Sequence, residues 1–203
     1  MSRSTGQGST GPEWSRRAVG ASNGGQPPDA VYAGIMTDPR SPLLFQTKVA
    51  VLGDNSKVKM IGPDAIQTQS LLDSAGMSVT AGIYATVGGL PLNQLPPAGQ
   101  KFVQDYTAQY GAPQSAFAVD GYEAMSAALQ AIENVCATGG HPTDRRAVRD
   151  AVFGLKDFNG ALGTWSLDAN GDTTLTDMVI YVAKGDSYQP FAVSRANAIA
   201  ALP

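Results

Sequence analysis

Few residues in this chain have the type and spacing that chemistry requires. The most telling is Asp64, which follows the short apolar run Lys57–Ile61 in the sequence Gly62-Pro63-Asp64. The carboxyl end of such a run is where an acid could meet a ligand. Asp is also a favoured helix N-cap, and from the pattern alone capping is the simpler reading. His141, in Gly-Gly-His-Pro, has no partner to orient it and reads as a solvated loop residue rather than a general base. Cys136 reads as a small buried hydrophobe. The stretch Asp168-Ala169-Asn170-Gly171-Asp172 imitates a calcium loop. An EF-hand wants Gly at its sixth position and Glu at its twelfth, whereas here Gly171 is fourth and Val179 twelfth. Asn-Gly between strand-forming runs is a turn. Gly6-Gln7-Gly8-Ser9-Thr10-Gly11 formally matches a dinucleotide fingerprint. It lacks the strand before and the helix after that give the motif its physics, so it is a chance match in a Gly-rich tail. There is no Gly-x-Ser-x-Gly elbow, phosphate loop or zinc-type Cys/His cluster. No enzyme, cofactor or metal site is expected.

Asp64 needs a frame, and the surrounding runs supply one. Ala30–Met36 and Lys57–Ile61 flank a stretch of helical length, and the first run breaks at Met36-Thr37-Asp38 as the second does at Gly62-Pro63-Asp64. Parallel strands need a crossover of a dozen or more residues, usually a helix, so this is a β-α-β unit. Ligands of open α/β sheets sit beyond the carboxyl ends of the strands, where Asp64 falls. The crossover helix is expected from about Ser41 to Leu52, with Leu43, Leu44, Thr47, Ala50 and Val51 as its apolar side and Gly53 as its stop. A second helix is expected over about Ile66 to Ser74, with Leu71 and Leu72 inward, and Met77–Thr86 reads as extended.

Gly88-Gly89 with Pro91, Pro96 and Pro97 then marks a loop, a candidate crossing between two parts of the fold. Phe102, Val103, Tyr106 and Tyr110 share one face of a helix. Ala118, Tyr122, Met125, Leu129, Ile132 and Cys136 recur at alternating spacings of four and three, and read as the core stripe of another. A third opens at Thr143 as N-cap, with Val148, Ala151, Val152 and Leu155 inward. Strands follow at Leu162–Leu167 and Met178–Val182, and the chain is expected to fray from Lys184.

Composition narrows the function classes. The 203 residues allow one domain or two small ones, and 43% hydrophobic content allows a proper core. With 15% charged residues, a net charge of -3 and scattered Lys and Arg, nothing suggests a nucleic-acid partner. The single Cys136 excludes an intrachain disulfide framework. No apolar run approaches the length of a membrane span. The first twenty residues lack the apolar region of a secretory signal, which leaves a cytoplasmic location open for the chain as written. Residues 1–28, rich in Gly, Ser, Thr and Pro, read as a disordered segment.

Several stretches together resemble a known family. They are PDAVYAG (Pro28–Gly34), KMIGPDA (Lys59–Ala65), AFAVDGYEAMSAALQAI (Ala116–Ile132), DRRAVRDAV (Asp144–Val152) and FNGALGTWSLDANGD (Phe158–Asp172). Their order and spacing resemble the C-terminal portion of the leucine/isoleucine/valine-binding proteins, type I periplasmic receptors of branched-chain amino acid ABC transporters. The resemblance implies an α/β, periplasmic-binding-protein-like I fold, incomplete, with the N-terminal core of the first lobe missing. Residues 29–88 would be part of the second lobe and 89–177 part of the first. Residues 178–203 would be a return strand to the second lobe and a frayed end. It implies that the serine and threonine grip on the ligand carboxylate lies ahead of Pro28. Asp64 then matches an acidic position that binds the ligand's α-ammonium group, and Met36 one where an aromatic pocket wall is common. Phe117 matches an apolar wall position, with a helix-start core residue as its other reading. The implied function is the substrate-binding component of an importer for branched-chain or related amino acids. Its partners would be a small-molecule ligand and, if exported to the periplasm or outside the cell, an ABC permease. A cytoplasmic sensor with the same receptor fold, or a fragment that binds nothing, are the alternatives.

Overall fold

Short β-branched and aromatic runs form the strands that carry the Asp64 region. The computed structural model describes residues 28–113, 117–195 and 198–202. Strands β1 (Ala30–Tyr32), β2 (Lys59–Gly62) and β3 (Ile83–Gly88) lie side by side and parallel, with Val31 opposite Met60 and Ile61 opposite Tyr84. With β6 (Met178–Lys184), β7 (Ser187–Arg195) and β8 (Ala198–Ala201) they make a sheet of order β1-β2-β3-β6-β7-β8. Strands β4 (Phe158–Gly160) and β5 (Gly163–Trp165) form a separate antiparallel hairpin. The expected disorder over 1–28 and the Gly6–Gly11 motif lie, Pro28 apart, outside the described residues.

The described chain falls into two compact units, one of residues 28–87, 179–192 and 200–202, the other of 88–178, 193–195 and 198–199. In the first, the β1-to-β2 crossover is helix α1 (Ser41–Leu52), stopped at Gly53 by an N–H bond to Val49 O. Its buried side is not the one expected. Phe45, Lys48 and Leu52 face inward, while Leu43 and Val51 are exposed. The exchange works because Lys48 carries its apolar stem into the core and ends among acceptors. The three N–H groups of its Nζ are shared among four acceptors, Gly53 O, Asp54 O, Asn55 Oδ1 and Val58 O. Burial pulls its pKa down, against a weaker upward pull from Asp54. Asn55 passes the connection on through Nδ2 to Val79 O and Ala81 O.

Downstream, one expected helix becomes two pieces. A 3₁₀ turn spans Asp64–Ile66, and α2 (Gln69–Ala75) opens at Thr68, whose hydroxyl accepts from Leu71 N. Leu71 and Leu72 are buried, as expected. The supposed extended run from Met77 begins instead as a short helix, α3 (Met77–Thr80), before β3. The Thr80 hydroxyl bonds back to Gly76 O, a local alternative to extended pairing. Nor does the chain fray after Lys184. β7 is held by the edge contact of Phe191 with Tyr84 at 5.3 Å, and Leu202 N bonds to Phe191 O.

The second unit holds helices α4 (Pro97–Tyr110), α5 (Phe117–Ala137) and α6 (Arg145–Phe153) with the β4–β5 hairpin. Here the structure reverses the expected core stripe. Tyr122, Met125, Leu129 and Cys136 on α5 are exposed, while Val119, Glu123, Ala127, Ala131 and Val135 are buried. The reason is the Glu123 carboxylate, which takes Trp165 Nε1 at 2.6 Å and Ala161 N at 2.7 Å. These bonds bring the small-residue face of α5 against the hairpin. A Cβ at Gly160 would lie 2.0 Å from Glu123 Oε1, so only glycine fits beneath the carboxylate. The N-cap of α6 is Asp144 rather than Thr143, accepting from Arg146 N and Ala147 N. The Asp168 carboxylate accepts from Asn170 N and Asp172 N, closing the expected turn.

Candidate functional site

The site of interest in the first unit is the rim at the carboxyl ends of β1 and β2, where parallel neighbours finish together. After β1 the pairing continues for one bond, from Ala33 N to Ile61 O at 2.8 Å, and then both chains leave the sheet. The Thr37 hydroxyl donates to Ala65 O, stitching the two departing segments to each other. The Thr86 hydroxyl donates to Gly62 O at 3.3 Å, tying β3 to the same rim. Gly62 is the point of closest approach. A Cβ there would meet Ile66 Cδ1 at 2.6 Å and Ala33 O at 3.1 Å.

Asp64 stands exposed on this rim as the first residue of the 3₁₀ turn. Its Oδ1 accepts from Ala65 N at 2.8 Å, and Pro63, not Asp64, is the cap of the turn. Since Thr68 caps α2, the capping role weighed for Asp64 falls to other residues. The turn is fixed from below by Tyr188, whose hydroxyl donates to Ile66 O at 3.0 Å. Burial raises that hydroxyl's pKa well above the ordinary phenol range.

Met36 is exposed on the segment leaving β1, one residue before Thr37, and its carbonyl accepts from Ser41 Oγ at 3.1 Å. Met36 and Asp64 therefore belong to adjacent segments joined by a hydrogen bond. Phe117 opens α5 in the second unit and is exposed. Thr37, Thr86 and Tyr188 were not singled out from sequence as site residues. The hydroxyls at the two strand ends, Thr37 and Thr86, were the available signal. Tyr188 lay in a segment expected to fray. Among the described residues no cluster of His, Cys, Asp and Glu could hold a metal ion. No described helix is long and apolar enough to cross a membrane.

Residues 25–188 match the model of a family described as periplasmic binding protein. The chain belongs to the periplasmic binding protein family. Solved members show the same fold. A leucine-binding protein from Thermotoga maritima is 27% identical, with a TM-score of 0.66 over 82% of this chain and 44% of that one. The branched-chain amino acid transporter substrate-binding protein of Streptococcus pneumoniae, in complex with isoleucine, is 17% identical with a TM-score of 0.62, over 86% and 44%. An R. palustris solute-binding protein of an ABC transporter, in complex with benzoate, is 23% identical with a TM-score of 0.58, over 82% and 43%. No curated protein sequence matches the chain significantly. This periplasmic binding protein thus spans less than half the length of these relatives. The family's description is of a binding protein.

Proposed function

We propose that the chain is the C-terminal portion of the substrate-binding component of an ABC importer for branched-chain or related amino acids. Asp64 is the acceptor for the ligand's ammonium group. The observation that carries this reading is an exposed carboxylate on the rim of two parallel strands, on a turn fixed by Thr37 and Tyr188. Relatives that take leucine and isoleucine support it. An ammonium and a carboxylate make charge-assisted hydrogen bonds, about twice as strong as neutral ones. A benzoate-like ligand, as in the R. palustris relative, carries no cation and would be repelled by the same side chain.

Met36 contributes a flexible apolar contact beside Asp64, and Phe117 a second apolar contact. Residues 29–88 belong to the second lobe and 89–177 to the first, with 178–203 returning to the second. The whole receptor would work in the periplasm or outside the cell and present its ligand to a permease. The test is calorimetry on a full-length receptor containing this span. Asp64→Ala should weaken leucine, isoleucine or valine binding by about 2–3 kcal/mol, roughly 30- to 150-fold. Unchanged affinity would remove Asp64 from the site, and tighter benzoate binding by the unsubstituted protein than by the variant would reverse the ligand class.

A further inference from the structure

Every carbonyl of the Asp64–Ile66 turn is engaged. Asp64 O accepts from Gln67 N at 2.8 Å and Ala65 O from the Thr37 hydroxyl. Ile66 O accepts twice, from Thr68 N at 2.8 Å and from the Tyr188 hydroxyl at 3.0 Å. The bond from Tyr188 spans 122 residues of sequence and comes from β7. It has a companion on the same hairpin. The turn Gly185-Asp186 between β6 and β7 offers Asp186 O to Gln69 Nε2 at 2.8 Å. The β6–β7 hairpin therefore grips the 64–69 segment at both ends, at the turn that carries Asp64 and at the start of α2.

Packing and hydrogen bonding fix different things here. Ile66 is fully buried, and a Cβ at Gly62 would lie 2.6 Å from its Cδ1, so its side chain sits hard against the end of β2. That contact sets how deep the turn lies, but apolar contact has no direction and does not orient the peptide planes. A hydrogen bond weakens steeply when it is bent, so the Tyr188 hydroxyl sets which way Ile66 O points. Asp64 begins the same turn, and among the described residues its carboxylate accepts only from Ala65 N. The turn aims that carboxylate, and no further side chain does. We infer that Tyr188 is a positioning residue for ligand binding, holding the Asp64 turn in the orientation that meets the ligand's ammonium group. The inference rests on the role of Asp64 proposed above and adds to it a residue that touches no ligand. Without the hydroxyl, Ile66 O still accepts from Thr68 N, so no carbonyl is orphaned. What is lost is preorganisation, and ordering the turn then opposes binding.

The test is a double-mutant cycle, read by calorimetry with leucine on a full-length receptor containing this span. Its four forms are the unsubstituted protein, Tyr188→Phe, Asp64→Ala and the double variant. Tyr188→Phe should weaken leucine about 3- to 10-fold, the range of one lost hydrogen bond. In the Asp64→Ala background the same change should matter by less than about twofold, because the group it positions is gone. A role confined to stability would weaken binding equally in both backgrounds. Should the Tyr188→Phe receptor fail to fold, Gln69→Ala removes the hairpin's other grip from an exposed position and should show the same dependence on Asp64. Equal losses in the two backgrounds, or no loss in either, overturn the inference while leaving Asp64 in the site. Full affinity in Asp64→Ala alone removes the role of Asp64 itself, and this inference with it.

Discussion

Glu123 and Lys48 are buried charges that sequence patterns did not reveal, and each is satisfied by dipoles instead of a counter-ion. Glu123 uses both carboxylate oxygens on Trp165 Nε1 and Ala161 N. Glu123→Gln turns an amide donor toward one of those donors and should cost about 1–3 kcal/mol, read from urea unfolding. Lys48→Met keeps the stem but strands Asn55 Oδ1 and Val58 O, and should cost about 2–3 kcal/mol by the same measurement. Tyr188 gives a pH signature. Its folded pKa lies above the unfolded value of about 10, so its contribution is intact below pH 10 and lost as pH rises beyond it. Unfolding midpoints taken between pH 8 and 11.5 should fall more steeply in wild type than in Tyr188→Phe. The placement of Asp64 just past a strand end was legible because Gly-Pro-Asp punctuates that end. Lys48 was not, because a long stem with a charged head reads as polar whichever way it points.

Elements were legible where period and punctuation agreed. The crossover α1 and its stop at Gly53 follow from their sequence signals, as does the Asn-Gly turn. Faces were harder. The α5 pattern identified a helix correctly but assigned its apolar stripe to the core, when the small-residue side is what the hairpin covers. Periodicity reports that a face is apolar, not which partner is present to cover it. Short runs were ambiguous too, and Met77–Thr80 took the helical choice through local hydroxyl bonding. The caps are testable at this scale. Thr68→Ala and Asp144→Ala each remove a side-chain acceptor from a helix start and should each cost about 1 kcal/mol in thermal or urea unfolding.

At the scale of the whole molecule, the chain covers 44% of the length of the leucine-binding relative, and Asp64 lies within the shared span. Equilibrium dialysis of the 203-residue chain with leucine, isoleucine or valine should find no tight binding. Retained micromolar affinity would show that this span suffices. The first unit is also discontinuous, its strands before Val87 being completed only by residues from Val179 onward. During synthesis, β3 must therefore wait for its neighbour β6 while Gly88–Met178 leaves the ribosome, roughly 5–20 s at usual elongation rates. Throughout that interval one flank of the nascent sheet stands open, whereas the 88–178 part of the second unit can begin to fold. Slowing translation within this interval should therefore lengthen the nascent chain's dependence on chaperones, and slowing it after β7 should not.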